Sequence, residues 1–142
     1  MLIGQYEANI TEGNRVAIPK KFRTELGKNF IVAKWYENCL VLVANKNWDA
    51  LLQRVTGVTR IVTTPVRRTD RFILGSAFEI SPDTQGRTVI PKQLVEFANL
   101  KADIVFVGLG DRVEVWNKSN WITEEGAIAH KASDLLESIN NE

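Results

Sequence analysis

Apolar and polar positions alternate with period two over residues 5–10 and again over 77–81, the spacing of a half-buried strand. Each stretch runs into a turn rich in small polar residues, Glu12-Gly13-Asn14 in one place and Asp83-Thr84-Gln85-Gly86 in the other. Each then returns as a second short strand ending at Ile18-Pro19 or Ile90-Pro91, so the pattern predicts two hairpins. Proline fixes its own φ and pushes the preceding residue into extended geometry, which places the strand ends at Ile18 and Ile90. Pro19 and Pro91 are then expected at the first position of a short helix. Phe22 and Leu26 share a helical face with Pro19, and Leu94, Val95 and Ala98 share one with Pro91, leaving Lys20, Lys21, Lys92 and Gln93 in water. A further hairpin is expected in each half, from residues 30–34 with 40–44 and from 103–108 with 112–117, the latter turning through Leu109-Gly110-Asp111.

Trp48, Leu51, Leu52 and Val55 recur at helical spacing, which predicts an amphipathic helix capped by Asn45 or Asn47. Residues 56–64 read as a polar, β-branched connector, and Thr64-Pro65 as the start of another helix running to about Leu74. Arg60, Arg67, Arg68 and Arg71 lie in this stretch, either as solvated charges, as partners for another subunit, or as DNA contacts. From Asn120 onward the chain is helix-prone, and Leu135, Leu136 and Ile139 form an apolar stripe suited to packing or to an oligomer contact.

The two halves repeat one another. Arg15, Ile18, Pro19 and Lys20 match Arg87, Ile90, Pro91 and Lys92 at a constant offset of 72 residues. Asn45-Lys46-Asn47-Trp48 resembles Asn117-Lys118-Ser119-Asn120-Trp121, with the tryptophans offset by 73. Two matches in the same order and at nearly one offset imply two copies of one unit, arranged as an internal pseudo-dimer. The expected organisation is repeat 1 over residues 1–55, a helical, basic connector over 56–75, repeat 2 over 76–122 and a C-terminal helical tail over 123–142. The fold class is mainly β with short helices (α+β).

Charge adds an asymmetry that the mean conceals. The 142-residue chain has a formal net charge of only +1. Residues 1–95 nevertheless hold 14 Lys and Arg against 8 Asp and Glu, whereas residues 96–142 hold 4 against 9. A basic part can face a polyanion while the acidic end points elsewhere or meets a neighbouring copy. The single cysteine, Cys39, excludes an internal disulfide or a thiolate metal cluster, and sits in an apolar strand as a buried thiol. The single histidine, His130, excludes a His-pair metal site and reads as a surface residue. Glu124 and Glu125 point different ways on a helix, and Gly108-Leu109-Gly110 reads as a turn and not a phosphate loop. No catalytic constellation, metal site or cofactor motif is therefore expected, and no small-molecule substrate. The amino-terminal residues lack a basic start followed by an apolar run, and no stretch nears the ~18 apolar residues of a membrane span, so a soluble, untargeted protein in a reducing cytoplasm is expected.

The paired motifs resemble those of the MraZ family of bacterial transcriptional regulators, whose chains hold two AbrB-like units. That family carries an Asp-x-x-x-Arg signature before a Gly-Arg-x-x-Ile-Pro run in each copy. The second copy matches as Asp83-Thr84-Gln85-Gly86-Arg87 followed by Thr88-Val89-Ile90-Pro91. The first departs, with Thr11 in place of the aspartate and Gly13-Asn14 in place of the usual basic-Gly pair, while keeping Arg15 and Ile18-Pro19-Lys20. Phe78-Glu79-Ile80, Val107-Gly108 and Glu114-Val115-Trp116-Asn117-Lys118 also read like the family's second half. The resemblance covers essentially the whole chain. It implies two tandem AbrB/SpoVT-like swapped-hairpin units that form a pseudo-symmetric β-barrel. It further implies a cytoplasmic, nucleoid-associated protein in a ring of about eight to twelve copies, binding G-rich direct repeats in double-stranded DNA. The site is the promoter of the division and cell wall operon, which includes the regulator's own gene.

Within that picture the DNA-binding candidates are Arg15, Lys20, Lys21, Arg23, Arg87 and Lys92, and the structural turn residues are Asp83, Arg87, Pro19 and Pro91. Arginine offers a planar pair of donors to the two acceptors of a guanine edge, and lysines mainly hold phosphate. Two roles stand open for Arg87: a DNA contact, or an ion pair with Asp83 that fixes the turn. Arg15 has lost the matching aspartate and is expected to lack a local anion. The competing functional readings are a structural ring and an AbrB-like module binding DNA and protein without operator specificity.

Overall fold

The computed structural model describes residues 1–57 and 62–141, so Arg60 of the predicted connector lies outside the described residues. The elements run β1 (Leu2–Thr11), β2 (Arg15–Ala17), α1 (Lys20–Leu26), β3 (Phe30–Lys34), β4 (Leu40–Ala44), α2 (Asn45–Thr56) and α3 (Thr64–Ile73). They continue as β5 (Phe78–Ile80), β6 (Arg87–Val89), α4 (Lys92–Phe97), β7 (Asp103–Gly110), β8 (Val113–Asn117) and α5 (Lys118–Asn140). The eight strands form one antiparallel sheet in the order β5-β3-β4-β8-β7-β1-β2-β6, which curls into a nearly closed barrel.

The repeat visible in the sequence becomes a pseudo-two-fold axis. In β2·β6, Val16 stands opposite Thr88, its own counterpart at the offset of 72, with Arg15 opposite Val89 and Ala17 opposite Arg87. In β4·β8, Val41 stands opposite Glu114, its own counterpart at the offset of 73 that relates the tryptophans. The first strand of each copy is exchanged. β1 of the first copy pairs with β7 of the second over eight positions, from Leu2 opposite Gly110 to Asn9 opposite Asp103. β5 of the second copy pairs with β3 of the first, and Ile80 opposite Phe30 is the counterpart of Ala8 opposite Ile104. Neither copy can satisfy its own strand edges alone.

Three local expectations are corrected. The second copy does not form a laddered hairpin: β5 ends at Ile80 and pairs with β3, and its turn is closed by the Asp83 N–H donating to the Arg87 carbonyl at 2.8 Å and the Gly86 N–H donating to the Asp83 carbonyl at 2.9 Å. The Asp83 carboxylate accepts from the Arg87 amide at 3.0 Å, the donor a hairpin ladder would use. Pro82, in the place of Ile10, lacks the amide that Ile10 donates to the Ala102 carbonyl on the β7 side, where β5 correspondingly stops pairing with β3. Pro19 and Pro91 are N-caps and not first helical residues. Their ψ values of 134° and 140° are extended, and their carbonyls accept the first bonds of α1 and α4. α2 starts at Asn45 after an Ala44 N-cap that makes no side-chain bond, whereas its counterpart α5 is capped by Asn117, whose side chain accepts from Asn120 N–H at 3.0 Å.

Burial divides the molecule into two apolar layers. Inside the barrel lie Leu2, Val16, Ile18, Phe22, Leu26, Phe30, Leu40, Leu42, Ile90, Leu94, Ile104 and Phe106, with α1 and α4 closing its ends. Outside, Val41, Val43, Val105, Val107, Trp116 and Ile73 pack beneath α2, α3 and the first turn of α5, joined by Leu51 and Trp121. β4 (LVLVA) is buried at every position because its two faces serve these two layers, which is why it reads as a continuous apolar run. The tail of α5 leaves the body: Leu135, Leu136 and Ile139 are exposed.

The exchanged strand packs closely. A methyl group on Gly108 would stand 2.6 Å from the Ile3 amide nitrogen and 2.7 Å from the Leu2 carbonyl carbon, both backbone atoms that cannot swing aside. Gly108→Ala is therefore expected to pry β1 from β7 and cost about 1–3 kcal/mol, the usual range for overpacking. Urea denaturation followed by tryptophan fluorescence checks it, and an unchanged midpoint would show that the strands separate without penalty.

Candidate nucleic-acid interface

The β2·β6 ladder turns alternate residues inward and outward, as a strand must. Val16 and Thr88 point into the barrel, while Arg15, Ala17, Arg87 and Val89 face water. Because Arg15 lies opposite Val89 and Arg87 opposite Ala17, the two arginines become diagonal neighbours on one outward face, one from each copy. They border a groove of about 460 Å³ that is also lined by Glu79, Asp83 and Val89.

Different chemistry shapes the two turns leading to these arginines. In the first, Gly13 and Asn14 both take left-handed backbone, at φ 80° and 59°, and the Thr11 hydroxyl donates to the Arg15 carbonyl at 3.3 Å. Glycine and asparagine are the residues that tolerate this region best. In the second, Asp83 Oδ1 accepts from the Gln85 amide at 2.8 Å and the Arg87 amide at 3.0 Å, and Gly86 N–H donates to the Asp83 carbonyl at 2.9 Å. The carboxylate thus folds the turn through its backbone. The Arg87 guanidinium donates to Gln85 Oε1 and keeps only a 3.8 Å approach to Asp83, between two half-exposed side chains. An exposed pair of that length contributes little.

Hydrogen bonding by the Arg87 amide holds the Asp83 carboxyl below the usual carboxylate range, outweighing slight desolvation and aided by the Gln85 amide and the charges of Arg87 and Arg15. The effect of Arg15 corrects one expectation. Asp83 arrives from the other copy across the β2·β6 register, so Arg15 does have a neighbouring anion, although the two form no ion pair within 4 Å.

Lys20, Lys21 and Lys92 are exposed at the starts of α1 and α4, with Lys92 3.9 Å from Glu96 one turn on. Arg23 is placed differently. Its Nε donates to the Ile18 carbonyl at 2.9 Å, and its guanidinium lies over the Cα of Gly86 in the second turn. Arg67 donates to the Val62 carbonyl and to Thr64 Oγ1 at the start of its own helix, while Arg68 and Arg71 are exposed. The sequence held a signal for the cross-copy meeting of Arg15 with Asp83 and Arg87, namely the constant offset of 72, but the pairing partner of β2 could not be read from it.

Other polar groups are structural. Cys39 is fully buried with its thiol 3.3 Å from the Tyr36 carbonyl, and burial pushes its pKa up, so it stays protonated. Burial also raises Glu114, against the Trp116 indole N–H that donates to it at 2.9 Å. Among the described residues no group of three or more His, Cys, Asp or Glu side chains is arranged to hold a metal, and no helix is long and apolar enough to cross a membrane.

A carboxyl whose pKa is depressed on folding gives stability that is complete above its unfolded value, roughly 3.9, and that fades as pH falls through the lower folded value. Amide protection of Gln85 and Arg87 is therefore expected to hold at neutral pH and to decay below about pH 4. Asp83→Ala should abolish both the protection and its pH dependence. Hydrogen exchange across this range checks the assignment, and protection unchanged by Asp83→Ala would remove the carboxylate from the turn.

The sequence matches the family described as "MraZ protein, putative antitoxin-like" over residues 1–68 and 73–134. A protein of Clostridium tetani named "Transcriptional regulator MraZ" is 37% identical over 141 residues, covering 95% of this chain and 99% of the relative. Identically named proteins of Caldanaerobacter subterraneus and of Thermoanaerobacter sp. (strain X514) are 35% identical over 141 residues and 39% over 126. The first covers 99% of this chain and 98% of the relative, the second 85% and 84%. With matched segments in both copies and identities of this size over nearly the full length, the chain belongs to the MraZ family.

Proposed function

We propose that this chain is a DNA-binding transcriptional regulator. The observation that carries the reading is the placement of Arg15 and Arg87 on one outward face of β2·β6, with Lys20, Lys21 and Lys92 exposed at the adjoining helix starts. The name of its relatives supports the same role. In this reading the arginine forks address the O6 and N7 acceptors of guanine, and the lysines hold phosphates, which raises affinity without adding sequence information. G-rich direct repeats suit such a reader. The target we assign is the promoter of the division and cell wall operon, including the regulator's own gene, bound at the nucleoid in the cytoplasm.

A ring of about eight to twelve copies fits the exposed stripe of α5, where Leu135, Leu136 and Ile139 are 48%, 61% and 69% accessible in the single chain. An apolar stripe of this kind gains from cover by another copy. Tandem subunits on tandem repeats then multiply weak contacts, because one bound hairpin raises the effective concentration of the next.

Arg15→Ala is expected to weaken binding to the native promoter duplex by about 1–3 kcal/mol, the cost of one bidentate base contact. Fluorescence anisotropy against a shuffled duplex at two salt concentrations tests it. Preference for the native duplex that survives higher salt supports the regulator; equal and salt-sensitive binding to both, or none, points instead to a structural ring or a module without operator specificity. Sedimentation of Leu135→Asp should show smaller assemblies than the unaltered chain at micromolar concentration, and a monomeric unaltered chain would contradict the ring.

A further inference from the structure

We infer that Arg23 is a positioning residue that clamps the second copy's turn, and so sets the aim of Arg87, from a helix of the first copy. Three contacts form a closed bracket. The Ile18 amide donates to the Gly86 carbonyl at 3.0 Å, the Ile18 carbonyl accepts from Arg23 Nε at 2.9 Å, and the Arg23 guanidinium covers Gly86. A Cβ built on Gly86 would stand 2.3 Å from the guanidinium carbon, so the plane rests directly on the glycine. Arg23 itself is anchored at the start of α1, its amide donating to the Pro19 carbonyl at 3.0 Å.

The pseudo-symmetry shows that the backbone bond is common to both turns, the Ile90 amide donating to the Asn14 carbonyl at 2.9 Å, whereas the guanidinium belongs to one turn only. At the offset of 72, Val95 stands in the place of Arg23 and Asn14 in the place of Gly86. Valine has neither a planar face nor a donor, and the first turn instead folds on its own two left-handed residues, Gly13 and Asn14. The second turn has a single left-handed residue, Gly86, and lies beside Pro82, which contributes no ladder bond. Arg23 supplies from outside the constraint that this turn lacks. Within the DNA-binding reading above, on which this role rests, the orientation of Arg87 thereby depends on the first copy, and the two arginines of the groove are set by one unit.

A clamp and a phosphate contact by Arg23 predict different results. A phosphate contact would survive in Arg23→Lys and, when removed, would lower the slope of log affinity against log salt by about 0.9. A clamp needs the planar fork, which lysine lacks, and leaves that slope unchanged. The experiment measures amide hydrogen exchange without DNA, and anisotropy on the promoter duplex across a salt series, for Arg23→Ala and Arg23→Lys in the full-length chain. Expected are exchange at Gly86 and Arg87 about tenfold faster in both variants, unchanged exchange at Arg15, and weaker DNA binding at constant salt slope. Unchanged exchange at Gly86 and Arg87 overturns the clamp, as does rescue by lysine with a reduced slope in Arg23→Ala. The exchange readout needs no DNA, so it stands even where the DNA-binding reading fails. Should Arg23→Ala unfold, Gly86→Ala serves in its place. With Arg23 present the new methyl must expel the guanidinium, so Gly86→Ala should destabilise the Arg23→Lys background less than the unaltered chain, and equal destabilisation in both overturns the clamp.

Discussion

The exchange of first strands is the constraint on which the rest of the molecule depends. β1 and β7 pair over eight positions although they belong to different copies, and β5 and β3 make the reciprocal pairing. An unpaired strand edge is costly in isolation and invites other chains. Here each copy covers the other's edge. Within that frame β2 and β6 pair in the register centred on Val16 and Thr88. That register alone decides which side chains share the outward face. Arg15 and Arg87 meet because the β2·β6 pairing, flanked by the Ile18 amide on the Gly86 carbonyl and the Ile90 amide on the Asn14 carbonyl, holds that register, not through any attraction between two like charges.

The same symmetry makes the differences between the copies informative. Both turns must deliver an arginine to the ladder at the same relative position, and they do so by separate means. The first spends backbone conformation, with left-handed Gly13 and Asn14. The second spends a side chain, with Asp83 accepting from two amides and Arg23 resting on Gly86. Thr11 does not take the aspartate's role here: its hydroxyl donates to the Arg15 carbonyl, whereas the carboxylate of Asp83 accepts from amides. The departure of the first copy from the family pattern is thus a change in how the turn is held, while its arginine stays at the matching position of the ladder.

Much of this was legible in the residues, and the boundary of legibility has a physical basis. Period-two alternation located β1 and β5, hairpin punctuation located β3 and β4, helical spacing located α2 and the Thr64-Pro65 start located α3, because those signals are local. The repeat predicted a pseudo-dimer because identical offsets survive folding. What failed was also local in origin. The second hairpin lacks its ladder because the Asp83 carboxylate takes the Arg87 amide, a competition that the turn composition does not reveal. Capping by Asn45 or Asn47 was misjudged because asparagine favours caps, yet Ala44 occupies the position once β4 has run to its end. The role of Arg23 was not legible at all. Read in sequence, it is one cation of a basic cluster; only the cross-copy register brings it onto a glycine that lies 63 positions away.

The composition of the groove bears on what kind of binding is open to it. A chain of net charge +1 gains little long-range attraction for a polyanion, and the groove sets two carboxylates, Glu79 and Asp83, beside its two arginines. Carboxylates repel phosphate, so a surface built for phosphate alone would not place them there. Beside a base edge the same groups are useful: a carboxylate orients a guanidinium fork by hydrogen bonds or field, and itself accepts from the exocyclic amine of cytosine. In the proposed role the phosphate contacts fall to the lysines at the helix starts, which lie outside the groove. Mixed charge within the groove and exposed lysines at the helix starts beside it would, in that role, divide reading from holding. That division suits the regulator proposed above, in which the holding contacts add up over copies and the reading contacts belong to each one.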